Sequence, residues 1–324
     1  MTTHLLLFVA GAIAMVLAAS ALFTWRTARR IEAWLRPAGR FIDVPGARLH
    51  VREAGNGPPL LMIHGLAGQM AHFSYALLDR LAADYRVIMV DRPGSGYSTR
   101  DAATSASATA QANAISALVN ELKLDRPLVV GHSFGGTVAL TLALDHPEQV
   151  GALALIAPLT HAPGDVPPAF KGLTIRSALA RKIVAWTLAT PMSIIQSARV
   201  LADVFGPEPV PADFATRGGG LLSLRPGAFL SSSSDLQALE HTLPALEARY
   251  SQLRLPVRVL YGLNDKILDW RANGQALVDK VPGASLSLLD AGHMLPITQP
   301  DATAEFIREA AVAQYGAAAR QALR

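Results

Sequence analysis

The apolar run Leu128-Val129-Val130 ends at Gly131-His132-Ser133-Phe134-Gly135, and a small, apolar stretch from Thr137 to Ala143 follows. This order reads as strand, sharp turn, helix. Glycines at both ends of the turn remove Cβ atoms where strand and helix crowd each other. The serine between them is forced into a strained conformation with its hydroxyl above the sheet, the arrangement of a nucleophile elbow. In a chain of 324 residues the bare pattern arises by chance roughly one time in eight. Its meaning therefore depends on residues elsewhere.

A serine hydroxyl is a weak nucleophile. It needs a general base, and the base needs a third group to hold its tautomer. Two later segments supply them in the order serine, acid, histidine. Asp265 stands in Tyr261-Gly262-Leu263-Asn264-Asp265, just beyond an apolar strand, and His293 stands in Asp290-Ala291-Gly292-His293-Met294, just beyond the next. Asp269 is the nearest rival for the acid, although it lies past the turn. Earlier, His64-Gly65-Leu66-Ala67-Gly68 follows the strand that ends at Ile63. A glycine-rich turn there leaves backbone N–H groups free, so Leu66 and Phe134 are the expected oxyanion donors.

The chain alternates short apolar strands with helices. Phe41 to Val44 and Arg48 to Glu53 read as a hairpin turned at Pro45-Gly46. Leu60 to Ile63 reads as a buried strand, and Arg86 to Val90, Leu128 to Val130, Ala152 to Ile156, Val257 to Tyr261 and Ser285 to Leu289 read as further strands. Phe73 to Ala83 and Gln111 to Leu122 read as helices between them. This pattern implies an α/β fold with a mostly parallel sheet covered on both faces. Residues 159–255 interrupt it and are too long for a loop. Helices are expected over Arg176 to Leu188 and Met192 to Phe205, divided by Pro191, and over Leu236 to Leu253 with a break at Pro244. Ser231 to Ser234 reads as a loop and helix cap. Such an insertion is expected to cap the carboxyl edge of the sheet, where open parallel sheets bind ligands.

These motifs together, HGLAG, DRPGSGYS (Asp91 to Ser98), GHSFG, YGLND and AGHM, resemble the alpha/beta-hydrolase family in its capped branch, from about Phe41 to Ala311. The resemblance implies a core of residues 37–158 and 256–324, a cap of 159–255, Ser133 as nucleophile, Asp265 as orienting acid and His293 as base. Asp91 and the glycines of DRPGSGYS then shape the floor of the site. His64 and His132 are expected to make structural hydrogen bonds. His50, His72, His146, His161 and His241 are scattered without metal-ligand spacing, so neither metal nor cofactor is expected. Gly94-Ser95-Gly96 lacks the Lys-Ser/Thr of a phosphate loop.

Outside that pattern, Leu5 to Phe23 is an uncharged run of 19 residues. As a helix it covers roughly 28 Å, close to the hydrocarbon core of a bilayer. Trp25 suits the interface, and Arg26, Arg29, Arg30 and Arg36 all follow the run, which places the remainder on the cytoplasmic side. Residues 1–36 thus read as a single-pass anchor whose last part, Arg26 to Arg36, is an amphipathic helix lying on the membrane. Ala18-Ala19-Ser20-Ala21 offers small residues for a cleavage site, so a signal peptide stays open, as does a buried helix. The net charge is +4, but no basic run interleaved with aromatics marks a nucleic-acid surface. The absence of cysteine excludes disulfides and thiolate metal sites.

The expected chemistry is acyl transfer to water. A membrane position and an apolar cap favour a small hydrophobic ester. A carbon–carbon bond hydrolase or cofactor-free perhydrolase using the same triad is the alternative, followed by a catalytically silent ligand-binding relative. Haloalkane dehalogenases and epoxide hydrolases place aspartate at the elbow, whereas this chain has Ser133.

Overall fold

The computed structural model describes residues 2–316. Helix α1 (Thr2–Trp34) precedes the hairpin β1 (Arg40–Val44) and β2 (Ala47–Ala54). Then come β3 (Pro59–Ile63), the short helices α2 (Ala71–Ser74) and α3 (Leu77–Leu81), β4 (Arg86–Val90) and the two-residue β5 (Thr99–Arg100). Helix α4 (Ala108–Glu121), β6 (Leu128–His132), α5 (Phe134–Asp145) and β7 (Ala152–Ile156) form the central units. The insertion carries α6 (Ala178–Val184), α7 (Thr190–Phe205) and α8 (Pro226–Glu247). Strand β8 (Val257–Gly262), α9 (Ala276–Val278), β9 (Ser285–Leu289), α10 (Leu295–Thr298) and α11 (Pro300–Tyr315) are the remaining elements among the described residues.

The nine strands form one sheet in the order β1-β2-β4-β3-β6-β7-β8-β9, with β5 beside β2. The β1–β2, β2–β4 and β2–β5 pairs are antiparallel, and the rest are parallel. Every residue of β6 and β7 is buried, as expected where helices cover both faces. Alternate residues feed two cores. Leu61, Ile63 and Val129 pack with Ile115 and Leu118 of α4 and Val138 of α5. Leu60, Met62 and Val130 pack with Phe73 of α2 and Phe306 and Ile307 of α11.

Several local expectations give way to tertiary packing. The single helix expected over Phe73 to Ala83 is two short ones, α2 and α3. Pro191 does not divide the cap helices. It lies in the first turn of α7, where its missing N–H costs nothing, and α6 joins α7 through a wide turn of π type at Ala185–Ala189. Helix α8 runs through Pro244. The serine run also belongs to α8 instead of a loop. Ser231, Ser232 and Ser233 are buried, Ser234 returns its hydroxyl hydrogen bond to Leu230 O (2.8 Å), and Ser233 bonds Leu173 O (2.6 Å). Small hydroxylated side chains permit this close approach, and Ser231 sits where any Cβ on Gly94 would fall.

The segment Arg26 to Arg36 does not form a separate surface helix. Helix α1 continues through it and turns Thr24, Ala28 and Ile31 inward. It packs against the Ala185–Ala189 turn, residues Gly220–Leu224 and α7. The Ser20 hydroxyl donates to Thr187 O, Tyr97 Oη donates to Leu35 O, and Arg225 pairs with Glu32 at 3.5 Å. The insertion, not a separate surface, covers the apolar side of this segment.

Candidate active site

Ser133 lies between β6 and α5 with φ 54° and ψ −123°, a region L-residues rarely occupy. The backbone is pinned on both sides. Ser133 N–H donates to Ile156 O (3.0 Å), and Ser133 O accepts from Gly136 N–H (2.9 Å) and Leu159 N–H (3.0 Å). The flanking glycines are sterically required. A Cβ on Gly135 would strike the Ile63 carbonyl, and one on Gly131 would lie 2.8 Å from Gly136 Cα.

Asp265 and His293 meet at the same edge. His293 Nδ1 and Asp265 Oδ2 are 2.7 Å apart, with neither side chain appreciably exposed. Asp265 Oδ1 accepts the N–H groups of Ile267 (2.8 Å) and Leu268 (2.9 Å), so the carboxylate cannot rotate away. Its rival Asp269 instead caps the next turn, accepting Ala272 N–H at 2.8 Å. Among the described residues Ser133 Oγ makes no hydrogen bond. Such bonds commonly close only when substrate is in place.

The turn His64 to Gly68, where the oxyanion donor is expected, sits against the elbow. A Cβ on Gly65 would fall 2.9 Å from Ser133 Cβ. Leu66 N–H and Phe134 N–H have no intramolecular acceptor among the described residues, and Phe134 opens α5, whose first N–H groups have no helical partner. The turn is held from behind by Arg92, a residue not singled out from the sequence. Fully buried, Arg92 donates from Nε to His64 O (2.9 Å) and from Nη2 to Gly65 O (3.0 Å). With these carbonyls turned inward, the N–H that follows is free to face the substrate side. Arg92 Nη1 reaches Gln111 Oε1 (2.6 Å) and Asp235 Oδ2 of α8 (2.8 Å), and the guanidinium carbon lies 4.5 Å from the Phe134 ring centroid. Arg100 takes the other oxygen of Asp235 at 2.6 Å. The only signal for Arg92 was its place in DRPGSGYS, and its partner Asp235 is 143 residues away.

His64 Nε2 accepts the Arg92 N–H at 2.9 Å, which leaves Nδ1–H to donate to Gly65 O at 2.9 Å. Burial, with the charge of Arg92, holds its pKa well below the ordinary histidine value. His132 donates from Nε2 to His293 O (3.1 Å), and burial likewise pushes its pKa well down. Asp91 accepts Met70 N–H and Tyr97 N–H and contacts His50 Nδ1 at 2.8 Å, a framework role. His72 has no motif around it in the sequence, yet its ring overlies Gly68 beside Phe214. Burial lowers its pKa to about 4. Glu208 of the cap, which no sequence motif marks, accepts Gly292 N–H at 3.0 Å and so steadies the loop of His293.

The insertion of residues 159–255 lies against the turn after β3. A cavity of about 10 Å³, room for one water, separates the oxyanion turn at Ala67 and Gly68 from Leu222 and Ser232 of the cap. A larger groove of about 370 Å³ lies elsewhere, lined by Ser105, Thr141 and His241, and holds none of the residues above.

The family model for the alpha/beta hydrolase fold matches residues 58–300. Over 253 residues the chain is 28% identical to a 2-hydroxy-6-oxononadienedioate/2-hydroxy-6-oxononatrienedioate hydrolase of Pseudomonas putida, covering 76% of this chain and 85% of that one. Its fold is similar to the enol-lactonase of Burkholderia xenovorans LB400, with a TM-score of 0.68 at 20% identity, over 84% of this chain and 100% of the other. It is also similar in fold to a membrane phospholipase A described as a bacterial virulence factor, with a TM-score of 0.64 at 24% identity. That likeness covers 97% of both chains.

Proposed function

The chain belongs to the alpha/beta hydrolase fold family, and from that premise we propose that Ser133, His293 and Asp265 are the triad of a hydrolase that cleaves a bond beside a carbonyl. The observation that carries this reading is the 2.7 Å contact between His293 Nδ1 and the immobilised Asp265, on the edge where Ser133 is presented. His293 Nε2 takes the Ser133 proton as Oγ attacks the carbonyl carbon. The N–H groups of Leu66 and Phe134 receive the developing oxyanion. As the tetrahedral intermediate collapses, the imidazolium returns the proton to the leaving group, and water, activated by the same histidine, releases the acyl group.

Either carbon or oxygen can leave in this scheme. What supports carbon is the Pseudomonas putida relative, whose named compounds contain carboxylates, an enol and a ketone but no ester. Hydrolysis of such a compound breaks a carbon–carbon bond beside the ketone, and conjugation spreads the charge left on carbon. This reading stands ahead of the hydrophobic ester inferred from the sequence. The ester remains the second reading, favoured by the apolar helix α1 seated on the cap. Purified protein assayed on a 2-hydroxy-6-oxo-dienoate, by loss of its chromophore, and on a p-nitrophenyl ester series separates them. A kcat/KM for the dienoate below that for every ester overturns the carbon–carbon reading. Retained turnover in Ser133→Ala overturns the triad.

Helix α1 acts, in the same proposal, as a retained anchor with the catalytic domain on the cytoplasmic side. The stripe Leu17, Ser20, Thr24, Ala28 and Ile31 docked on the domain supports retention, since a cleaved signal peptide has no reason to fit its mature chain. Digestion of the domain by protease added outside right-side-out spheroplasts would sink this topology.

A further inference from the structure

Helix α1 is free over Thr3 to Val16, where every residue is exposed, and docked from Leu17 onward. Residues 17–23 are still part of its uncharged run. At 1.5 Å per residue, roughly the last 10 Å of that run lies beside the cap. The Ser20–Thr187 hydrogen bond marks the level directly. Ser20 lies about 8 Å along the axis from Trp25, on the side away from Arg26.

The cap surface at this level is apolar and open. Leu179, Ile183, Trp186, Leu188, Met192 and Ile195 are between 44% and 74% exposed. Outside α1 and residues 179–195, the exposed large hydrophobics of the described residues are only Phe41, Leu263 and Leu288. Exposed Lys182 lies within the patch along the chain and exposed Arg176 and Arg199 flank it, and long basic side chains of this kind can place their charge among headgroups while their stems stay in the apolar layer.

We propose that this face of the cap, α6 with the first half of α7, is immersed in the same bilayer leaflet as the end of α1. The proposal rests on the anchor reading of α1. A helix that crosses the bilayer while docked from Leu17 carries Thr187 and its neighbours below the interfacial level of Trp25. An interfacial helix sinks its apolar face roughly 5–10 Å, which matches the overlap. The cap therefore faces lipid, and a site closed by the cap opens beside the membrane.

The chain has no cysteine, so single labels need no background substitutions. Full-length protein carrying Phe8→Cys, Leu188→Cys, Ile195→Cys or Glu121→Cys is nitroxide-labelled and reconstituted into vesicles of phosphatidylethanolamine and phosphatidylglycerol. Glu121 ends α4 and leads into the amino end of β6, away from the cap. Collision with oxygen, which concentrates in lipid, is compared with collision with a water-soluble nickel chelate. The expected result is a several-fold higher oxygen-to-nickel ratio at Phe8, Leu188 and Ile195 than at Glu121. If Phe8 reads lipid while Leu188 and Ile195 read like Glu121, the immersed cap is wrong and the anchor stands. Phe8 reading like Glu121 overturns the anchor and this proposal with it. Spin–spin broadening at Ile195 would assign the patch to a second copy of the chain and overturn it too.

Discussion

Arg92, in the turn after β4, and Asp235, in cap helix α8, form an ion pair of 2.8 Å with neither side chain exposed. The same guanidinium grips the His64 and Gly65 carbonyls of the proposed oxyanion turn. Cap and oxyanion turn are thus bridged by one side chain. Removing one member of such a pair leaves an uncompensated buried charge, at a cost of about 3–5 kcal/mol. Asp235→Asn is expected to lower stability by that order and to lower kcat more than it raises KM. The double variant Arg92→Met with Asp235→Leu is expected to recover much of the stability without recovering kcat. Urea denaturation with steady-state kinetics checks both; recovery of kcat in the double variant contradicts a positioning role for Arg92.

The strained conformation of Ser133 predicts a trade between stability and chemistry. Ser133→Ala keeps a Cβ at φ 54° and is expected to lose nearly all turnover at unchanged stability. Ser133→Gly loses turnover too, but relieves strain worth about 1 kcal/mol. A denaturation midpoint for the glycine variant at or below that of the alanine variant contradicts this account of the elbow.

Asp265 and Asp269 are four residues apart but differ in role. If the proposed triad holds, Asp265→Asn is expected to lower kcat by about 10⁴-fold, because the imidazole loses its orienting acceptor. Asp269→Asn removes only part of the acceptor for Ala272 N–H, and should cost at most about 1 kcal/mol of stability with kcat unchanged. A loss of kcat for Asp269→Asn matching that of Asp265→Asn would reassign the acid.

Buried histidines predict acid sensitivity. His64, His72 and His132 all have pKa values lowered by burial from the ordinary 6.5. The unfolded chain therefore binds more protons than the folded one below about pH 6.5. Stability should be flat above that pH and fall as pH drops toward about 4, where His72 itself titrates. Each histidine adds up to about 1.4 kcal/mol per pH unit. Urea midpoints between these limits check the slope, which should be shallower in His132→Gln. Equal slopes in wild type and variant would contradict a buried, neutral His132.

The strands and the elbow were legible because their signals are local. Runs such as Leu60 to Ile63 and Ala152 to Ile156 are apolar throughout, and glycines flank Ser133 in the chain itself. Local chemistry misread the cap for the same reason. Pro191, Pro244 and Ser231 to Ser234 all look like breaks, yet a first-turn position accommodates Pro191 and hydroxyl hydrogen bonds to backbone carbonyls accommodate Ser233 and Ser234. The two cap carboxylates, Asp235 and Glu208, carried no signal at all. Each acts on a partner far away in the chain, Arg92 and Gly292 respectively.

By itself the sequence determined the alternating architecture, the strained serine and the order serine, aspartate, histidine, since spacing and residue type specify them. Tertiary structure alone decided that Asp265, and not Asp269, meets His293. It alone decided that Arg92 ties α8 to the turn after β3 and that the end of α1 packs along the cap. Each of these depends on which side chains are desolvated together, and desolvation is set by the partner across the fold, not by neighbours along the chain.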